Sequence, residues 1–223
     1  MKKRNIQLIA FDLDGTLMDA YLPVCRSLNY ALQKVGLPPV DNETIKRTVG
    51  WGDKHLLRTL AGEDEIEEVV AIYREHHAES LKDGTELLPG AADLLRCLKD
   101  QGHRMSIASN RPTKFSYIAM DYLGITDYFD FVLCGDVLSR AKPHPEILHK
   151  TLANFSLEPR QALYVGDMVI DIETAKGAGV KVAAVLTGSS TKEEIAALDP
   201  EYIMENVFEV KDILEELNRD SNG

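Results

Sequence analysis

Two aspartates end the first apolar run of the sequence, in LIAFDLDGTLMDA, Leu8 to Ala20. Because successive side chains of a strand point to opposite faces, Asp12 and Asp14 can project toward one point while Leu13 faces away. Two carboxylates held together repel each other unless a cation lies between them or one of them is protonated. A turn before Gly15 requires only one such residue, so the pair favours a cation or acid–base site over a simple turn.

A second acidic pair occurs in YVGDMVID, Tyr164 to Asp171. Asp167 ends another apolar run, and Asp171 follows four residues later, one helical turn away on the same face. Taken alone, Asp167 is equally well explained as the N-cap of the following helix. Together with Asp12 and Asp14, the two residues form a set of hard oxygen donors of the kind that binds Mg²⁺.

Two further predicted strand ends contain groups suited to an anion. Ser109 and Asn110 end MSIAS before a predicted helix, where a hydroxyl and free backbone N–H groups can bind an anion. Lys142 follows the third strand and precedes a helix that Pro143 or Pro145 can begin. Each has an ordinary alternative, a helix cap for the serine and an exposed charge for the lysine, but their shared position at strand ends favours a common site.

Short apolar runs alternate with helical patterns along most of the chain, which predicts a parallel sheet with helices on both faces. The runs contain few polar residues, as expected of strands that are buried on both faces. They are Ile6–Asp12, His103–Ser109, Phe131–Gly135, Ala162–Asp167, Lys181–Leu186 and Tyr202–Met204. We therefore expect a Rossmann-like, three-layer α/β core with its site at the carboxyl ends of the strands.

The segment between the first and second predicted strands has helical periodicity only. In its first helix, which Gly36 ends, apolar residues recur at spacings of three and four: Tyr21, Val24, Cys25, Leu28, Leu32 and Val35. Three more helices are predicted, one capped by Asp41 or Asn42, a short one after VGWG, and a longer one from Glu63 to Leu81. The segment therefore predicts an inserted all-helical module.

This pattern predicts two domains. A core domain comprises residues 1–16 and 84–223, and a helical cap domain comprises residues 17–83. A module of about 65 residues is near the lower size limit for an independent domain. The two connections, Leu17–Ala20 and Lys82–Glu86, are expected to form a hinge.

Composition excludes several classes of partner. The 25 basic and 36 acidic residues give a net charge of −11, which repels nucleic acid and anionic membranes. A small anionic substrate is still compatible, because a metal ion can reverse the local potential. Cys25, Cys97 and Cys134 are widely spaced among apolar neighbours and are expected to be reduced core residues. With no run of transmembrane length, we expect a cytoplasmic protein.

The motifs resemble those of the haloacid dehalogenase superfamily, and they occur in the same order along the chain. DLDGT is similar to its first motif, Ser109 to its second, Lys142 in KPHPE to its third and GDMVID to its fourth. The resemblance covers residues 6–190, and the helical insert resembles the small helical cap of one subgroup. The stretches DGTLMDA, VGWG, LLPGAADLLRCLKDQG and KPHPE are most similar to the phosphoglycolate phosphatase branch.

The resemblance implies a Mg²⁺-dependent phosphatase that acts on a small phosphorylated metabolite through an aspartyl-phosphate. Asp12 would attack phosphorus, and Asp14 would act as general acid and then as general base. The side chains of Asp12 and Asp167 and the backbone carbonyl of Asp14 would hold Mg²⁺, with Asp171 as a ligand or as support.

The phosphoryl oxygens would be bound, by the same resemblance, by Ser109, the backbone of Asn110 and Lys142. Arg111 stands where the family often has lysine, which makes it either a contact for a substrate carboxylate or a surface residue. His76 and His77 lie in a strongly charged helix, and we expect both to be solvated.

The cap is expected to determine substrate specificity. Its candidate loop is TVGWGDKH, where Gly50 and Gly52 allow close approach and Trp51 or Lys54 can contact the substrate. A turn with a packed tryptophan explains the loop equally well.

Two alternatives to a phosphatase are compatible with the same residues. A phosphomutase of the same fold would have the same core residues, and a non-catalytic, metal-binding regulatory module is a less favoured possibility. The acid at Asp14 argues against a dehalogenase or a phosphonate-cleaving enzyme. DLDGT in place of GxGxxG argues against dinucleotide binding. The expected protein is a monomer or homodimer.

Overall fold

The computed structural model describes residues 5–62 and 66–219. In chain order its strands are β1 (Leu8–Phe11), β2 (Met18–Asp19), β3 (Glu86–Leu87), β4 (Arg104–Ser109), β5 (Phe131–Cys134), β6 (Ala162–Gly166), β7 (Lys181–Val185) and β8 (Tyr202–Met204). Its helices are α1 (Tyr21–Lys34), α2 (Asn42–Thr48), α3 (Asp53–Ala61), α4 (Ile66–Ser80), α5 (Ala91–Asp100), α6 (Thr113–Tyr122), α7 (Glu146–Phe155), α8 (Val169–Ala178), α9 (Lys192–Ala197) and α10 (Val210–Arg219).

Within the described residues, six strands form one parallel sheet in the order β5-β4-β1-β6-β7-β8. Strand β1 is central, because Leu8 pairs with Arg104 of β4 on one side and with Ala162 of β6 on the other. The chain adds β4 and β5 on one side of β1, then returns to add β6, β7 and β8 on the other. Open α/β sheets bind ligands outside the carboxyl ends of their strands at such a reversal.

Helices cover both faces of the sheet, and β1 contributes side chains to each face. Leu8 and Ala10 pack in one apolar cluster with α7 and α8. Ile9 and Phe11 point the other way and pack in a second cluster with α5, α6 and α10. The predicted three-layer α/β fold with a parallel sheet is confirmed.

The four helices α1 to α4 lie between β2 and β3 and have an apolar cluster of their own. Leu28 and Leu32 of α1 pack there with Ile45 of α2, Leu57 of α3 and Tyr73 of α4. Because this cluster is separate from the two that flank the sheet, the helical module buries its own core. The exact division into a core and a cap domain stays a prediction.

Two details of the helical module bear on its predicted boundaries. The Asp41 side chain accepts a hydrogen bond from the backbone N–H of Thr44 at 2.9 Å, so Asp41 is the N-cap of α2. The fourth helix was predicted from Glu63, and the structure begins α4 at Ile66. Residues 63–65 of that prediction lie outside the described residues.

The two connections of the module pair with each other, which the sequence analysis did not predict. Met18 pairs with Leu87 and Asp19 with Glu86 in an antiparallel ribbon. A strand of two residues has no periodicity to detect, so only the tertiary structure reveals it. The ribbon brings together the two segments for which a hinge was predicted.

The three cysteines are free, with Cys25 and Cys134 buried. Cys97 is only partly buried and lies near the end of α5, so the expectation that all three are core residues was wrong for this one. Among the helices of the described ranges, none is both long enough and apolar enough to cross a bilayer.

Candidate active site

Four of the predicted site residues lie at the carboxyl ends of four adjacent strands. Asp12 follows β1, Ser109 ends β4, Lys142 comes after β5, and Asp167 follows β6. The sheet continues to the first of these residues, since the Asp12 N–H donates to the Val165 carbonyl of β6 at 2.9 Å. The reversal of strand order therefore brings side chains that are far apart in sequence to one edge.

Asp12 is buried and faces a cation. Its Oδ1 lies 2.9 Å from the Nζ of Lys142. Burial raises the pKa of Asp12 to about 6, although the charge of Lys142 and a hydrogen bond from Ser109 oppose that increase. The side chain is a carboxylate held in a water-poor position beside a fixed positive charge.

Lys142 is buried, so its alternative assignment as an exposed surface lysine is wrong. Its Nζ donates to Asp171 Oδ1 at 2.7 Å and to the Tyr164 hydroxyl at 3.0 Å. Burial alone would lower the pKa of Lys142, but the carboxylates of Asp12 and Asp171 outweigh that effect and raise it well above its usual value. Lys142 is therefore a permanent cation between two strand ends.

Asp171 has hydrogen bonds to both carboxylate oxygens. Oδ1 accepts from Lys142 and lies 2.9 Å from the Tyr164 hydroxyl. Oδ2 accepts from the backbone N–H groups of Asp167 at 3.2 Å and Met168 at 3.0 Å. The N-cap of α8 is Met168, so Asp167 does not cap that helix. Asp171 instead fixes the loop that contains Asp167.

Asp167 is fully buried, and two glycines make room for it. Its Oδ1 accepts from the Thr16 hydroxyl at 2.9 Å and its Oδ2 from the Ser189 N–H at 3.2 Å. A Cβ at Gly188 would lie 1.6 Å from Oδ2, and a Cβ at Gly15 would lie 2.5 Å from it. Burial, together with the nearby carboxylates, raises the pKa of Asp167 well above its usual value. The backbone is thus shaped around this carboxylate.

Three of these acids can hold a metal ion. One carboxylate oxygen from each of Asp12, Asp167 and Asp171 lies within 4.8 Å of the others, and all three residues are buried. A cation among these acids would relieve their mutual repulsion, and hard oxygen donors suit a divalent ion such as Mg²⁺ or Ca²⁺. The residues present therefore fit a divalent cation.

Asn110 connects three segments through its side chain. Its Nδ2 donates to the carbonyls of Gly50 and Lys142, both at 3.1 Å, and its Oδ1 accepts from the Lys142 N–H at 2.8 Å. Ser109 is also not a helix cap, because α6 begins at Thr113. Its Oγ accepts from the Arg111 N–H at 3.3 Å.

Asp14 binds Arg111, which the sequence analysis left as either a substrate contact or a surface residue. The Nη1 of Arg111 lies 2.8 Å and 2.7 Å from the two Asp14 oxygens. Arg111 is 8% exposed, which excludes the surface alternative. Its Nη2 lies 3.1 Å from the Nε2 of His77, so the guanidinium links the β1 loop to helix α4.

The prediction that His77 is solvated was wrong. His77 is 2% exposed and stacks on Tyr73, with ring centroids 4.8 Å apart. Burial, with the nearby charge of Arg111, lowers the pKa of His77 to about 2, so the ring is neutral. A signal was present in the sequence, because Val69, Tyr73 and His77 recur at intervals of four on one helix face. His76 is partly buried and stacks on a different ring.

A small cavity lies between the strand ends and the helical module. Asp12, Asp14, Ser109 and Arg111 line it from the core. The helical module contributes Gly50, Gly52, Val24, Leu56, Tyr73 and His77. Its free volume is about 40 Å³, enough for only a few water molecules.

The predicted cap loop divides between two surfaces. Gly50 and Gly52 line the cavity, but Trp51 and Lys54 line a separate outer groove beside Lys114. A Cβ at Gly50 would lie 2.1 Å from the Met168 sulfur, which is why a glycine suits this contact between the helical module and the core. Trp51 is 38% exposed, so it is not the packed tryptophan of the alternative interpretation.

The parallel sheet, the acids at its carboxyl edge and the helical module beside them define the class of the protein, an α/β enzyme with a buried acidic centre. Residues 9–185 match the haloacid dehalogenase-like hydrolase family. The protein belongs to that family.

Relatives are similar over most of their length. A protein named phosphoglycolate phosphatase 1 from Pseudomonas aeruginosa is 34% identical over 210 residues, covering 90% of this chain and 77% of the relative. A phosphoglycolate phosphatase from Aquifex aeolicus is 34% identical, covering 82% and 86%. A crystal structure of a predicted phosphoglycolate phosphatase from Haemophilus somnus superimposes with a TM-score of 0.88 at 30% identity, covering 94% and 98%. With its family, these relatives make the protein a phosphoric monoester hydrolase.

Proposed function

We propose that the protein hydrolyses a small phosphomonoester such as phosphoglycolate, with Mg²⁺ as its metal ion and Asp12 as nucleophile. The observation that supports this most directly is the position of Asp12. It is buried at the end of the central strand, with Lys142 on one side and the carboxylates of Asp167 and Asp171 nearby. This nucleophile would thus face both a phosphate-binding cation and a metal-binding cluster.

In this proposal, Asp12 attacks phosphorus and the ester oxygen leaves, so that an aspartyl-phosphate forms on the protein. Asp14 donates a proton to the departing oxygen. It then removes a proton from water, which attacks the same phosphorus, releases inorganic phosphate and regenerates Asp12. Arg111 holds both oxygens of Asp14 and so fixes the direction of this acid.

The side chains of Asp12 and Asp167 and the backbone carbonyl of Asp14 would hold Mg²⁺. When bound, the ion would neutralise negative charge on the phosphoryl group and among the acids. Asp171 would support the site rather than bind the ion, because Lys142 and two backbone N–H groups already donate to its oxygens.

The phosphoryl oxygens would be bound by the Ser109 hydroxyl, the Asn110 N–H and the Nζ of Lys142. Most catalysis of phosphoryl transfer comes from such positioning and charge neutralisation. Residues 17–83 would act as a cap domain that closes over the core formed by residues 1–16 and 84–223, excluding water during the reaction. Gly50 and Gly52 would contribute the part of this cap nearest the substrate.

Phosphoglycolate is the proposed substrate for two reasons. Relatives that are 34% identical over most of the chain have that name. The cavity of about 40 Å³ also favours a small ester over a sugar phosphate or a nucleotide.

The nucleophile assignment is tested with Asp12→Asn. The purified protein should hydrolyse p-nitrophenyl phosphate with Mg²⁺ and lose this activity with EDTA, and the variant should lose at least about 10³-fold in kcat, since the amide cannot replace the carboxylate. Asp199→Asn, at an exposed position, is the matched control and should retain full activity. Turnover by Asp12→Asn near the level of the control would exclude Asp12 as the nucleophile.

The substrate is tested by measuring phosphate release from phosphoglycolate, sugar phosphates, nucleotides and pyrophosphate. We expect the highest kcat/KM for phosphoglycolate. Equal, slow rates across the panel would exclude phosphoglycolate but not the reaction class. Conversion of a sugar phosphate without phosphate release, activated by a bisphosphate, would instead identify a phosphomutase.

A further inference from the structure

Arg111 has a buried N–H group with no acceptor. Its Nη1 donates to Asp14 and its Nη2 to His77, but its Nε donates to no acceptor within residues 5–62 and 66–219. The residue is more than nine-tenths buried and lines the cavity above Asp12. Buried N–H groups are nearly always paired, so this one points to a partner that belongs in the cavity.

The chemistry of a guanidinium restricts that partner. Arginine has five N–H donors, no acceptor and a permanent positive charge, and its planar fork matches a carboxylate or phosphate oxygen pair. The missing partner of the Arg111 Nε–H must therefore accept a hydrogen bond, and a carboxylate or phosphate oxygen makes the strongest such bond to a guanidinium.

His77 holds Arg111 without neutralising its charge. Because Arg111 can only donate, the Nε2 of His77 accepts at 3.1 Å, and the ring proton is on Nδ1. That nitrogen lies 3.2 Å from the Ser27 Oγ, which in turn donates to the Pro23 carbonyl at 2.8 Å. In this chain of hydrogen bonds each group donates to the next, from Arg111 to the Pro23 carbonyl in helix α1. The helical module thus offers Arg111 a neutral acceptor, so Asp14 is its one anionic partner among the described residues and the Nε–H is left for a ligand.

The walls of the cavity limit the size of that ligand. Val24, Val49, Leu56 and Tyr73 cover it from the helical module, and Phe115 covers it from the core. These side chains are mainly apolar, so the polar contacts lie along the line from Asp12 to Arg111. The cavity is small, so a ligand that reaches from Asp12 to Arg111 must have a short carbon skeleton.

We propose that Arg111 is the specificity-determining residue that binds a carboxylate on the carbon skeleton of the substrate, and that His77 is the residue that positions Arg111 for this contact. The inference rests on the proposed function, and it adds that the second charged group of the substrate binds at Arg111. The carboxylate accepts from the Nε–H of Arg111 while the Nη1 contact to Asp14 is retained. Short phosphorylated hydroxy acids are thereby distinguished from neutral or cationic esters of equal size.

The first experiment measures kcat/KM with Mg²⁺ for three two-carbon esters: 2-phosphoglycolate, ethyl phosphate and phosphoethanolamine. They differ in the charge at the far end, which is negative, neutral and positive. The wild-type protein should prefer phosphoglycolate to ethyl phosphate at least tenfold, with phosphoethanolamine poorest. In Arg111→Met the ratio between the first two should fall at least tenfold, mainly through KM.

The matched control is Arg160→Met, which removes an exposed arginine before the amino end of β6, at the opposite edge of the sheet. Its substrate ratio should equal that of the wild type. Arg111→Lys keeps the charge but not the planar fork and should have an intermediate ratio. If Arg111→Met lowers kcat/KM equally for phosphoglycolate and for ethyl phosphate, the preference between them stays. Arg111 would then serve only Asp14, and the proposal would be wrong.

The role of His77 is tested by a loss and a rescue. His77→Phe keeps a ring but no acceptor, and should raise KM for phosphoglycolate about fivefold or more while kcat changes less. His77→Gln restores an acceptor and should recover most of the affinity. Equal effects of Phe and Gln on KM would indicate a purely structural role.

A binding measurement separates failure of this inference from failure of the proposed function. Calorimetric titration of the Asp12→Asn protein should show tighter binding of phosphoglycolate than of ethyl phosphate, and Arg111→Met in that background should remove the difference. If the wild type hydrolyses none of the esters, the proposed function fails, and the titration still decides whether Arg111 binds a carboxylate. Hydrolysis and binding of all three esters with no preference would overturn the inference alone.

Discussion

The two sides of the cavity are held in different ways. On the core side, the buried acids are fixed by groups from neighbouring strands and loops. Asp171, for example, accepts hydrogen bonds from Lys142 and from backbone N–H groups of the loop after β6, and it lies beside the Tyr164 hydroxyl. On the helical side, Arg111 is joined to the module through a hydrogen bond with His77, and Asn110 through a hydrogen bond to Gly50.

This difference separates two tasks. The residues proposed for catalysis belong to the α/β core, and the ion pairs of Lys142 with Asp12 and Asp171 are made there. The contacts proposed to select the substrate extend across two parts of the molecule, so they depend on how those parts approach. Changes on the core side should therefore abolish the reaction, whereas changes on the helical side should alter mainly affinity and preference.

The largest effect is expected for Lys142→Met. The substitution leaves the buried carboxylates of Asp12 and Asp171 without their shared cation, and removing one partner of a buried ion pair typically costs about 3–5 kcal/mol. Urea denaturation should show this loss, and kcat for p-nitrophenyl phosphate should fall at least about 10³-fold.

Lys150→Met is the control for this change. Lys150 pairs with Glu146 at 2.7 Å but is half exposed, so its loss should leave both stability and activity nearly unchanged. Similar stability for the two variants would mean that the buried network around Lys142 contributes little.

A smaller effect, confined to the metal, is expected for Gly188→Ala. The new methyl group would lie 1.6 Å from Asp167 Oδ2, so the carboxylate must move. The Mg²⁺ concentration for half-maximal activity should rise about 10- to 100-fold, the range seen when groups that orient metal ligands are changed. Gly177→Ala, within α8, is the control and should leave the Mg²⁺ dependence unchanged. An unchanged value for Gly188→Ala would argue that Asp167 does not bind the ion.

The same difference explains what the sequence could predict. Asp12 and Asp167 were predictable because each ends an apolar strand, and the carboxyl ends of parallel strands meet at one edge. That inference needs only periodicity and topology, and the observed β1 and β6 agree with it.

The helical side was less predictable because its contacts depend on tertiary approach. The contact of Arg111 with His77 joins residues 34 positions apart in two parts of the molecule, and no local pattern specifies it. His77 was misassigned because charged neighbours in α4 concealed an apolar face that also includes Val69 and Tyr73. Trp51 was predicted to lie near the substrate together with its flanking glycines, but it lines the outer groove. Sequence patterns therefore revealed the strand-end acids but not the partners across the cavity.

The smallest of these effects is expected for Gly50→Ala, which disturbs the approach of the two sides. Gly50 has φ of +107°, and an alanine Cβ would lie 2.1 Å from the Met168 sulfur. Because the methionine side chain can move, we expect the helical module to dock less closely, so that KM for phosphoglycolate rises about three- to tenfold while kcat changes little. Gly62→Ala is the matched control, since Gly62 has φ of +86° and no atom of residues 5–62 or 66–219 lies within 4 Å of its Cβ position. Both variants share the backbone strain of a positive φ, and only Gly50→Ala adds the contact with the core. Equal KM values for the two would therefore assign the effect to strain in the module and would contradict a role for this contact in closing the cavity.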